Sequence, residues 1–133
     1  MTARFALNWG RAVASLVAVL VLTCVLVCAQ EPPNTITFTN NSGEDAMVKL
    51  VGPTHGYIAV PNQAERTVHV AAGRYYIVVR YCDRSNHCSY NKGDPFDVEQ
   101  TDTEYSAITI TLHKVPNGNY HTHPATAADF GGN

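Results

Sequence analysis

The residues able to carry chemistry fall into a few groups, and the cysteines say the most through their spacing. Cys82 and Cys88 enclose five residues, Asp-Arg-Ser-Asn-His, between two β-prone runs. In an oxidising compartment such a pair closes the mouth of a hairpin, and a disulfide is the expectation. Joined by His87, the same pair has two other readings, a redox couple or a metal site. A redox motif usually spaces its cysteines by two at a helix start, and one histidine leaves a metal short of ligands. The histidines form the second group. His121 and His123 stand at i and i+2, which on an extended segment puts both rings on one side, while His113 ends the last strand facing out. Together they offer three imidazoles to Zn²⁺ or Cu²⁺, so a divalent metal is the cofactor the sequence leaves open. The opposing reading is of solvated histidines in a tail rich in Pro, Gly, Asn and Thr. His55 and His69 read as surface residues.

Seven tyrosines and four phenylalanines make the third group. A tyrosine projecting from a sheet presents an apolar face with a polar tip, suited to a sugar ring or a protein interface. Tyr75 and Tyr81 share a face with Ile77 and Val79 and read as core. Tyr76, Tyr90 and Tyr57 are left as outward candidates, with Arg74 and Arg80 near them. The carboxylates Asp97, Glu99, Asp102 and Glu104 read either as a Ca²⁺ site or as a solvated acidic edge that discourages strand pairing. Asn40-Asn41-Ser42 matches a glycosylation sequon and reads as an exposed turn. No Gly-x-Ser-x-Gly elbow, His-Glu-x-x-His or phosphate-cradling loop occurs, so the chain is read as no enzyme.

These groups need a scaffold, and 133 residues allow one domain. Residues 1–29 read as an export signal: Arg4 and Arg11 precede an apolar run from Ala12 to Val27, and Val27-Cys28-Ala29 offers a cleavage point. The alternative is an uncleaved anchor, the only membrane contact expected; either way the rest lies outside the cytoplasm, periplasmic or extracellular. Acylation at Cys24 or Cys28 is disfavoured by Thr23 and Val27 just before them. Without the leader the chain keeps seven basic against eleven acidic residues, a net −4, with no obvious basic cluster. Nucleic acid is therefore not an expected partner.

After a lead-in at 30–34, short runs alternate in polarity with period two. They are centred on Ile36–Phe38, Ala46–Val51, Tyr57–Val60, Thr67–Val70, Tyr75–Tyr81, Ser89–Tyr90, Phe96–Val98 and Tyr105–His113. The run through Tyr75–Tyr81 is the longest and is placed at the centre of a sheet. Turn residues separate the runs, among them Lys92-Gly93, and no crossover helix is apparent. The fold expected is all-β: an antiparallel β-sandwich of seven or eight short strands over 35–113, preceded by a signal peptide. Residues 114–133 read as a tail that lies over the sheet, with at most one helical turn near Ala125–Phe130.

The runs Ile36-Thr37-Phe38, Val48-Lys49-Leu50-Val51-Gly52-Pro53, Ala71-Ala72-Gly73-Arg74-Tyr75-Tyr76 and Thr109-Ile110-Thr111-Leu112 carry a resemblance. Over about 35–120 the chain resembles small exported bacterial β-sandwich domains of unassigned function. More distantly it is similar to carboxypeptidase-regulatory and PEGA-type modules. The resemblance implies a fold and supplies no catalytic residues. The function expected is an exported, non-catalytic binding or structural module of the envelope or extracellular space. It would meet a protein or envelope glycan through Tyr76, Arg80, Arg84, His87 and Tyr90. The alternative is a metal-binding protein using His113, His121 and His123.

Overall fold

Alternation between apolar and polar residues, broken by Gly, Pro and Asn, produces nine strands among the described residues. They are β1 (Asn34–Asn40), β2 (Asp45–Val51), β3 (Gly56–Val60), β4 (Glu65–Val70), β5 (Gly73–Cys82), β6 (Cys88–Gly93), β7 (Phe96–Val98), β8 (Ala107–Leu112) and β9 (Thr122–Ala125). One helical turn, α1 (Ala127–Gly131), follows. The computed structural model describes residues 30–114 and 120–131. The expected leader, with its cleavage and acylation sites, lies outside the described residues. Pro32–Asn133 forms one compact unit.

The strands make two sheets, ordered β4-β1-β8 and β3-β2-β5-β6-β9, with β7 pairing the start of β5. The molecule is therefore an all-β sandwich. Its core is the inward set of both sheets: Ile36, Phe38, Val48, Leu50, Val60, Val70, Tyr75, Ile77, Val79, Tyr81, Val98, Ile110 and Leu112 are all buried. Tyr75, Ile77, Val79 and Tyr81 share the inner face of β5, as expected, because side chains two apart point the same way.

The structure departs from expectation in four places. β1 and β8 pair in parallel, from Thr35 opposite Ala107 to Asn40 opposite Leu112. The crossover that a parallel pair requires is the other sheet itself: the chain leaves the first sheet after β4 and returns at β8. Lys92-Gly93 is no turn but the end of β6, and its glycine is demanded by packing. A Cβ on Gly93 would run into the Tyr120 ring.

Asn40, read as part of an exposed sequon, is 0% exposed. Its Nδ2 donates to the carbonyls of Glu44 (2.8 Å) and Val60 (2.7 Å), and its Oδ1 accepts from the amide (3.0 Å) and hydroxyl (2.7 Å) of Ser42. A buried amide with every capacity used cannot accept a glycan while folded, so the exposed-turn reading fails at Asn40. Asn34 plays the same part at the other end of β1, donating to Gln100 and accepting from the Ser106 amide. Finally, the tail adds a strand, because β9 pairs with β6 over four residues. Pro124 is tolerated there since β9 is an edge.

Candidate functional site

Outward side chains of the larger sheet assemble a face in two rows. On β5 the alternation that buries Tyr75 to Tyr81 turns Tyr76, Val78 and Arg80 the other way. Register puts Lys49 and Lys92 on either side of Val78, with Tyr57 beyond Lys49 and His123 beyond Lys92. The second row runs Met47, Arg80, Tyr90, Ala125. Lys49, Arg80 and Lys92 thus gather on one face of an acidic chain, although no basic cluster was apparent in the sequence. They are far apart along the chain, and only strand pairing brings them together.

The tail lies on this face. Phe130, 7% exposed, has its ring 5.4 Å from Tyr57 and 5.8 Å from Tyr90, with the Arg80 guanidinium 5.1 Å from its centroid. Its carbonyl accepts from the Tyr57 hydroxyl at 3.2 Å. The Arg80 Nε is buried with no hydrogen-bond partner among the described residues, so the aromatic ring is a principal neighbour of that cation. Asp129 caps its own turn, with Oδ2 taking the Thr126 amide and hydroxyl, each at 2.8 Å. Those bonds hold its carboxyl below the usual range, and Lys92 and Lys49 pull the same way. Upstream, Tyr120 packs edge-on against Phe96 at 5.7 Å and its hydroxyl donates to the Asp94 carbonyl. His123 Nε2 lies 2.8 Å from Asp94 Oδ1.

Beside the tail an open groove remains. Lys49, His55, Tyr57 and Tyr76 line it together with Leu50 and Val51, around about 270 Å³. Tyr57 is 57% exposed. Lys92 Nζ sits 4.8 Å from the Tyr76 ring centroid. The groove therefore offers aromatic surface and positive charge together, in a volume just below that of ordinary ligand pockets.

The expected contact set is divided by the structure. Tyr76 lines the groove, whereas Arg80 and Tyr90 contact Phe130. Arg84 and His87 sit beyond Cys82–Cys88, a disulfide with Cα atoms 4.1 Å apart across directly opposed positions. In that tip the Asp83 carboxylate accepts from the amides of Ser85 (2.8 Å) and His87 (2.9 Å), which holds its carboxyl low. Asn86 takes the left-handed conformation, φ 62°, that asparagine tolerates better than most residues. Arg84, Glu44, Asp45, Asn62 and Asp83 surround a separate polar depression. There the Glu44 carboxylate is paired with Lys114 at 2.5 Å.

None of the three metal readings is assembled among the described residues. His113 follows β8 in the smaller sheet, whereas His121 and His123 belong to the far edge of the larger one. Among the described residues no three His, Cys, Asp or Glu side chains come together as a ligand set. Asp97, a member of the expected acidic edge, is paired with Arg74 at 3.2 Å.

Comparison with protein-family models, with curated proteins and with solved structures finds no match to this chain. The site is therefore read from its own geometry. Sequence reasoning missed Lys49, Lys92, Asp129 and Phe130, and took His55 for plain surface. The signal for the last pair was a lone aromatic residue beside an acid in an otherwise polar tail.

Proposed function

We propose that the chain is an exported, non-catalytic binding module of the cell envelope or extracellular space. It takes an acidic glycan through the groove between Tyr57 and Tyr76. The observation that carries this reading is an aromatic pair flanked by Lys49 and His55 on an otherwise acidic protein. A sugar ring stacks on tyrosine through its apolar C–H face, and a carboxylate on that sugar finds the lysine. The disulfide fits an oxidising compartment, and no helix among the described residues is long and apolar enough to cross a membrane. The resemblance to exported modules such as the carboxypeptidase-regulatory and PEGA types supports the same reading.

Thermal unfolding of the chain without its leader, against neutral and acidic envelope glycans, tests this. A ligand at about a hundred times its dissociation constant stabilises by roughly 2.7 kcal/mol, a midpoint rise on the order of ten degrees. Tyr76→Ala and His55→Ala should each abolish the rise while the starting midpoint stays within a few degrees. If no glycan shifts the wild-type midpoint, or if the shift survives both substitutions, the reading is wrong.

A further inference from the structure

The sandwich core is complete without β9 and α1, although Tyr120 just before them packs against it. Its buried cluster is drawn from β1 to β8, and Phe130 is not part of it. What the tail covers is an exterior face, and it binds there as a peptide ligand would. β9 adds to β6 antiparallel from Tyr90 opposite Ala125 to Gly93 opposite Thr122, the hydrogen-bonding mode of strand addition. Phe130 then fills the space bounded by Tyr57, Arg80 and Tyr90, and Asp129 stands near Lys49 and Lys92. Backbone pairing supplies affinity, while the Asp-Phe pair selects the sequence. Val78, only 1% exposed although it points away from the core, lies on the same covered face.

We propose that this face is also the docking site for the tail of a second copy, so that two molecules exchange residues 122–131 and form a tail-exchanged dimer. The occupant is fixed by what the face already holds, because a second copy carries the identical strand, acid and aromatic ring. Each contact made within one molecule is reproduced between two, so the balance between the forms is set by concentration rather than by new interactions. A molecule whose tail has left shows an unpaired β6 edge and an apolar patch around Val78. Another copy's tail is the segment that closes both. This inference stands on β9 and α1 and does not rest on the glycan reading of the groove.

The test uses the chain from Gln30 onward, which lacks Cys24 and Cys28 and keeps the Cys82–Cys88 disulfide, in two variants that each add one cysteine, Lys92→Cys and His123→Cys, at opposed positions on β6 and β9. Mixed at high concentration and oxidised, they should give a Lys92→Cys/His123→Cys heterodimer in large excess over the statistical share. Adding Phe130→Ala to the His123→Cys partner should remove the excess. Oxidised at low concentration, where exchange is disfavoured, the double variant Lys92→Cys/His123→Cys should close its bridge internally and stay monomeric, which shows that the geometry permits the bond. Heterodimer at only the statistical share, or none while the double variant closes, overturns the proposal. An independent check needs no substitution. Native mass spectrometry of mixed isotope-labelled and unlabelled chains should reveal a mixed-mass dimer that grows with concentration, and monomer at every concentration overturns the proposal as well.

Discussion

Asn40 is the residue on which one end of the sandwich turns. Its side chain ties β1 to the carbonyl of Val60 at the end of β3 and closes the turn into β2 through Ser42 and Glu44. Asn40→Ala leaves buried carbonyls without donors, a cost of roughly 3 kcal/mol. In a domain of this size that lowers the melting midpoint by on the order of fifteen degrees. Calorimetry checks it, and a loss below about 1 kcal/mol would mean that water replaces the amide. The burial of Asn40 was not legible in the sequence. An asparagine beside Asn-Ser-Gly carries the same letters whether it lies on a turn or fastens one. What was legible is what hydrophobicity encodes directly, the inward set Ile36, Phe38, Tyr75, Ile77, Val79 and Tyr81, along with the disulfide read from compartment and spacing.

At the scale of elements, the tail is the part whose attachment responds to acid. Asp129 is held low chiefly by Thr126, and its contribution is present above the ordinary carboxylate pKa. It is lost as pH falls through the depressed folded value, so the tail loosens below about pH 4. Backbone amide NMR on Thr126 and Phe130 should show protection falling there, while amides of β5 stay protected. Equal loss in both would show that the tail and sandwich open as one unit. The docking of this element could not be read from His-Pro-Ala-Thr, which has weak strand propensity. It follows from an available edge on β6 and from the ring of Phe130, both products of the folded sheet. The strands themselves were legible because alternation is local, whereas the parallel partnership of β1 with β8 depends on the whole path between them.

For the whole molecule, alkaline pH is the lever. Burial pushes the Tyr81 hydroxyl up to about 12, and Tyr120 likewise, with the Asp94 carboxylate adding to burial. Unfolded tyrosine ionises near 10, so between about pH 10 and 12 the unfolded chain loses protons that the folded one keeps. Stability is fully present below pH 10 and falls through this window. Tyr81 alone accounts for roughly 3 kcal/mol, and Tyr120 for less because solvent reaches it. Unfolding midpoints measured from pH 8 to 12 should drop steeply past 10, and Tyr81→Phe should flatten the drop. A curve unchanged by that substitution would place the titrating group elsewhere.

The parallel partnership of β1 and β8 also governs how the chain comes to be folded. The first strand receives its second neighbour only when residues 107–112 are present, and each pair, from Thr35 with Ala107 to Asn40 with Leu112, spans 72 positions of chain. Such distant pairing raises contact order, and domains of this kind fold over milliseconds to seconds rather than microseconds. A chain emerging from its point of synthesis cannot close the smaller sheet early. It stays open, and can still be drawn out as an extended thread, until residues 107–112 have been added.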